Sequence, residues 1–311
     1  GGGGRGARTL VAAAPLRVAT AGADGVARVW SAGSGELLLA LRGHQGALFS
    51  AAFSPDGQQV VTSSWDCTAK VWSADSGECL RTLQGHQVWV TSASFSPGGE
   101  RVVTTSRDGT VKIWSAGSGE CLLTLRDRGN GRFDMLHAGF SPDGQQVLTS
   151  SKDGTAKVWS AASGECLRTL EGHQDWVFYA AFSPDGQKVS TASRDGTAKI
   201  WSAGSGECLL TLEGHRNDVN SAVFSPDGGQ KVLTASKDRT AKIWSAASTE
   251  CLVSLEGHED ELNSGVFSPD GHEVLTASDD GTAKIWSASS GKCLLTLDCL
   301  FDVSFASFSP L

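Results

Sequence analysis

Residues 172–213 read GHQDWVFYAAFSPDGQKVSTASRDGTAKIWSAGSGECLLTLE, and close copies of this stretch fill almost the whole chain. It holds four short runs rich in β-branched and aromatic residues, which predict strands a (Val177–Phe182), b (Lys188–Ser193), c (Thr197–Trp201) and d (Cys208–Leu212). Ser183-Pro184-Asp185-Gly186 between a and b suits a type I turn, because Pro presets φ at the second position. Arg194-Asp195-Gly196 between b and c is a hairpin signal, since Gly accepts φ > 0. Nothing in the unit has a helical period.

The tryptophan that closes strand c recurs at Trp30, Trp72, Trp114, Trp159, Trp201, Trp244 and Trp286, at spacings of 42, 42, 45, 42, 43 and 42. A period of 40–45 residues with one such tryptophan per unit marks a propeller blade. A lone four-stranded sheet cannot bury both its faces, whereas seven in a ring can. The expectation is an all-β chain: a seven-bladed β-propeller of four-stranded antiparallel blades, one domain over residues 16–311. Residues 1–15 read as a Gly-rich segment, flexible or the end of a fragment. The start, Gly1–Gly6, has no initiator Met and no basic-then-apolar signal organisation.

The Gly-His, Ser-Pro-Asp-Gly, Asp-Gly and terminal Trp resemble the WD40-repeat family over residues from about 16 to 308. All seven units carry Trp-Ser where the family has Trp-Asp, which on this reading removes a polar turn partner from each copy. The resemblance also bears on ring closure. The first unit lacks a clear strand a, and Val303–Phe308 stands alone at the other end. In the family the C-terminal strand completes the first blade, which would pair Val303–Phe308 beside Arg17–Gly22 and remove two free edges. A rival reading takes Ala7–Ala12 as the missing strand and Val303–Phe308 as the opening of an eighth unit.

Five units contain His, Asp and a hydroxyl, the ingredients of a hydrolytic triad. The sets are His44, Thr62, Asp66, Trp72; His86, Thr104, Asp108, Trp114; His173, Thr191, Asp195, Trp201; His215, Thr234, Asp238, Trp244; and His258, Thr276, Asp280, Trp286. The resemblance implies buried structural networks, and five equivalent copies fit a scaffold better than one activated catalytic site. Two units lack the His: Arg126–Asp134 and Asp298–Asp302 replace it, and the former is the favoured loop for a specific role. Cys67 and Arg239 stand where the hairpin Gly should be, predicting strain at φ > 0.

Six of eight cysteines share one repeat position, Cys79, Cys121, Cys166, Cys208, Cys251 and Cys293, one per blade and too far apart for disulfides. They read as half-buried packing residues in a reducing, intracellular compartment, the cytoplasm. No metal-ligand spacing and no phosphate-binding loop is present, so no metal and no cofactor is expected. The net charge of −8 disfavours generic nucleic-acid binding, and no apolar run approaches a membrane span.

Function should lie where the repeats disagree. Three positions per blade vary: the residues six and four before the last Phe of strand a, and the residue before the hairpin Asp. In the family these surround the channel on the narrow face and contact partners. They yield an aromatic and basic side (Trp65, Trp89, Arg107, Lys152, Trp176, Phe178, Arg194 and Lys237) and an acidic side that includes Asp279. Exposed Trp with Arg is the composition of interface hot spots. The reading is a non-catalytic, monomeric scaffold that binds a protein or peptide, one suited chemistry being an acidic or phosphorylated segment. The alternatives are a substrate-recognition or sensor module of a larger protein and, last, a hydrolase-type propeller.

Overall fold

The computed structural model describes residues 16–126 and 134–310. Seven four-stranded antiparallel sheets stand in sequence around a ring. In the blade ending near Glu213, strands a, b, c and d are Val177–Phe182, Lys188–Ser193, Ala198–Ser202 and Cys208–Leu212. Strand c begins one residue later than expected, because Thr197 serves the hairpin: its N–H and its hydroxyl both bond the Asp195 carboxylate.

The C-terminal strand closes the ring. Val303–Phe308 pairs antiparallel with Arg17–Gly22, giving the first blade the order a, b, c, d from residues 303–308, 17–22, 27–31 and 37–41. An eighth unit opening at Val303 is therefore ruled out, while Ala7–Ala12 lies outside the described residues. We number blades from this one, so the blade quoted first is blade 5.

Each Trp fills a seam between blades. Trp244 of blade 6 packs against Ala198, Ile200 and Leu212 of blade 5, and Trp30 of blade 1 packs against Ile285 and Leu297 of blade 7. The glycine of each Gly-His has to be glycine: at Gly172 (φ 149°) a Cβ would sit 3.2 Å from the Trp201 ring.

The five His sets form continuous hydrogen-bond relays. In blade 6, Trp244 Nε1–H donates to Thr234 Oγ1 at 2.8 Å, Thr234 Oγ1 lies 2.7 Å from His215 Nε2, and His215 Nδ1 lies 2.8 Å from Asp238 Oδ2. A neutral ring satisfies every member: Thr O–H donates to Nε2, and Nδ1–H donates to the carboxylate. The five Thr side chains are fully buried, so these hydroxyls cannot meet a substrate.

Blades 1 and 4 keep the Trp–Thr bond, Trp30 to Thr20 and Trp159 to Thr149, both 2.9 Å. Without the His, a strand-c cation turns back to the hairpin Asp. Arg28 grips Asp24 with bonds of 2.6 and 3.1 Å, and Lys157 lies 3.4 Å from Asp153. Where the His is present, the equivalent lysine points outward, as Lys199 Nζ does to Thr211 Oγ1.

Two expectations need correction. The serine of Trp-Ser does not leave the turn without a polar partner: Ser202 Oγ accepts the N–H of Ser205, and Ser160 Oγ that of Ser163. The six repeat cysteines are exposed. Strand d is the outer edge of each blade, so its first residue meets solvent and not a neighbouring blade. The expected positive φ at Cys67 (68°) and Arg239 (69°) is present.

Thr234→Val should leave the Trp244 N–H and the His215 ring without their partner, lowering stability by about 1–3 kcal/mol in chemical denaturation. The relays also set the acid limit of the fold. Burial outweighs the neighbouring Asp66 and Asp280 and holds His44 and His258 below 6.5. Burial would raise the five relay carboxyls, but hydrogen bonds from Thr, His and backbone N–H prevail and hold them below 3.8, Asp280 at about 2. Both kinds of group are depressed on folding, so their stability is complete above the unfolded values and lost as pH falls through the folded ones. Tm should be level above pH 6.5, decline below it and drop most steeply between 3.8 and about 2, followed by tryptophan fluorescence.

Candidate functional site

A β-bulge presents the variable residues. In blade 5, Val177 pairs with Ser193 and Tyr179 with Ala192, so Phe178 has no cross-strand partner. The same skip frees Phe49, Thr91, Leu136, Asn220, Asn263 and Ser304 in the other blades. A bulge re-aims its extra residue, and here it sits at the second variable position each time. The other two positions are tied together by a backbone bond. Trp65 N–H donates to Ala47 O (2.9 Å), Arg107 to Trp89 (3.1 Å), Arg194 to Trp176 (2.9 Å), and the remaining four blades repeat it. The three positions of each blade therefore converge at the b–c hairpin end of the ring.

The side chains form connected groups. Trp65 and Trp89, on blades 2 and 3, stack at 4.5 Å with rings 4° from parallel, and Phe49 flanks both. Trp65 stays 46% exposed, the only Trp among the exposed large hydrophobic residues described. The Arg107 guanidinium lies 4.7 Å from the Trp89 ring. Trp176 takes Lys152 Nζ at 4.2 Å and Arg194 at 4.8 Å, and meets Phe178 edge-on. Such cation–π contacts restrain flexible cations against rigid rings.

The cations are not an uncompensated arc. Asp134 Oδ2 lies 2.7 Å from Lys152 Nζ and 3.8 Å from Arg107 Nε. Lys237 Nζ lies 3.2 Å from Glu261, and Arg194 is 3.9 Å from Asp175. Arg107 Nε nevertheless has no hydrogen-bond acceptor among the described residues. On the acidic side Asn263 donates to Asp279 at 2.6 Å. Burial, with Asp302, Glu261 and Asp260 nearby, keeps the Asp279 carboxyl above its ordinary value despite that bond.

A cavity of about 560 Å³ at the channel mouth brings together Phe49, Trp176, Phe178 and Arg194 with Lys237, Glu261 and Asp279. Trp65, Trp89, Arg107 and Lys152 lie outside it. Two features were not read from the sequence. Asp175, the counter-charge of Arg194, sits next to Trp176 but outside the three variable positions. The bulge follows from register, which the sequence pattern does not display. Most of the Arg126–Asp134 loop lies outside the described residues. Among those described, no group of His, Cys, Asp and Glu is placed to hold a metal ion.

The fold and its relays define a repeat-built propeller whose variable surface is separate from its scaffold. The chain belongs to the WD40 family: the family model described as WD domain, G-beta repeat, matches residues 35–73, 77–115, 119–160, 164–202, 206–245 and 249–287. Each match spans strand d of one blade and strands a to c of the next. Six matches therefore suffice for seven blades, the last unit being divided between the chain ends. No curated protein matches the chain.

Asp134→Asn should remove the shared counter-charge of Arg107 and Lys152 at little structural cost. Stability should change by no more than about 1 kcal/mol in urea denaturation, because partly exposed ion pairs contribute little.

Proposed function

We propose that this propeller is a non-catalytic interaction scaffold that binds a protein or peptide across the b–c hairpin face, the narrow face of the family. The observation that carries the reading is the stacked Trp65–Trp89 pair with Trp65 half exposed, continuous with Arg107, Lys152, Trp176 and Arg194. Rigid aromatic surface beside restrained cations is what interface hot spots are made of. WD40 propellers typically serve as scaffolds for proteins or peptides.

An acidic or phosphorylated segment suits this surface. Its oxygens would replace Asp134 as the counter-charge shared by Arg107 and Lys152. The Phe178 cavity would take an apolar side chain of the same segment. The chain acts as a monomer on this reading, and its eight free thiols, six of them exposed, suit a reducing intracellular compartment.

The test is capture of partners from lysate on the immobilised chain, beside a variant carrying Trp65→Ala, Arg107→Glu and Arg194→Glu. The variant should keep its circular dichroism spectrum and lose its partners, and the wild-type complexes should weaken with added salt. Partners retained equally by both would overturn the assignment.

A further inference from the structure

The opposite face, formed by the a–b and c–d turns, contains a site for a guanidinium. We propose that the pocket between blades 2 and 3 binds an arginine side chain of a partner protein.

The chain itself shows how such a site is filled. Arg17, the first residue of strand b in blade 1, reaches across the seam into blade 2. Its guanidinium donates to Gly57 O (2.6 Å) and Ala74 O (2.9 Å), pairs with Asp75 (3.2 Å), and lies 5.5 Å from the Phe53 ring. Arg101 repeats this from blade 3 into blade 4, donating to Gly144 O (2.7 Å) with its guanidinium 5.1 Å from Phe140. The receiving parts are general, namely the a–b turn carbonyl and the last Phe of strand a in the next blade. The arriving residue differs, and in blade 3 Gly117 stands where blade 2 has Asp75, so the negative charge at the blade 2–3 seam comes from Asp56 and Glu100 instead.

Between blades 2 and 3 the arriving residue is Gln59, too short to span the seam as arginine does. A pocket of about 430 Å³ stands there, lined by Gln59, Gly99, Ala116 and Gly117 and by two carboxylates, Asp56 and Glu100. Gly99 and Ala116 correspond to Gly57 and Ala74, the acceptors of Arg17. Asp56 spends Oδ1 on the Ser54 hydroxyl and the Gln58 N–H, which leaves Oδ2 for a ligand. A planar donor fork suits a mixed set of carbonyls and carboxylates better than an ammonium does.

The surroundings favour a partner segment over a small molecule. Ser54 also borders the neighbouring channel mouth, about 510 Å³, lined by Phe and Pro from the a–b turns. On the same face the c–d turns expose Glu36, Glu78, Glu120, Glu165, Glu207 and Glu250, with Lys292 at the seventh position. A basic segment with apolar residues beside its arginine complements both. None of these residues belongs to the b–c hairpin face.

The experiment titrates the chain with a dye-labelled peptide of arginine and alanine, followed by anisotropy, beside a lysine version. Saturable binding, about tenfold tighter for arginine, is expected. Gln59→Arg supplies the chain's own guanidinium and should weaken binding about tenfold while keeping or raising Tm, as Arg17 and Arg101 imply. Gln58→Arg adds the same charge at an exposed neighbour and should change affinity far less. If Gln59→Arg fails to fold, Glu100→Gln should show the loss. Equal affinity in the two arginine variants, no preference over lysine, or displacement of the peptide by free arginine at equal concentration would each overturn the proposal. The Trp65→Ala, Arg107→Glu, Arg194→Glu variant should bind the peptide like wild type, and loss there would place the site on the other face.

Discussion

Everything in this fold hangs from one hydrogen bond, the indole N–H of a strand-c tryptophan to a buried strand-b threonine, made in all seven blades at 2.8–2.9 Å. It satisfies the single polar atom of a very large apolar side chain, so the rest of the ring can be buried in the seam with the preceding blade. The seam, not the blade, is where the apolar core lies. The His and Asp behind the threonine extend this bond to the surface hairpin and couple it to pH. Where the His is missing, Arg28 and Lys157 preserve the outer end by gripping Asp24 and Asp153. The tryptophan–threonine bond has no such substitute.

This division of labour leaves the hairpin face open to variation. Bulge and backbone bond are set by main-chain groups, which side-chain changes do not alter. Seven triplets can therefore diverge while the frame stays fixed, and they have diverged into an aromatic and cationic side facing an acidic one. The a–b turn face is the opposite case. Its turns are built from repeated residues, and its variation is concentrated at the first residue of strand b, which reads Arg17, Gln59, Arg101, Gln146, Lys188, Lys231 and Glu273 around the ring.

What could be read from the sequence follows the same line. The blades, the relays and the closing strand were legible because each is written several times in register, so one unit explains the rest. The three variable positions were legible for the opposite reason. The ion pairs Asp134–Lys152 and Lys237–Glu261 were not, since each joins residues brought together by ring geometry or a folded loop. The cysteines misled because alternation along strand d fixes two faces without saying that this strand is the rim. The Trp-Ser serines misled because a missing carboxylate suggested a missing bond, and a hydroxyl accepts the turn N–H as well.

The offset between the covalent unit and the blade has a consequence for how such a ring can change. Each matched unit gives one strand to a blade and three to the next, so every blade is assembled from two units and every peptide junction works as a stitch between neighbours. A ring that gained or lost one whole unit would still end in a lone strand at one terminus and three at the other, and these would find each other. Copy number can drift in evolution without leaving a raw edge, and the first blade, the only one joined without a covalent link between strands a and b, remains the place where the ring opens.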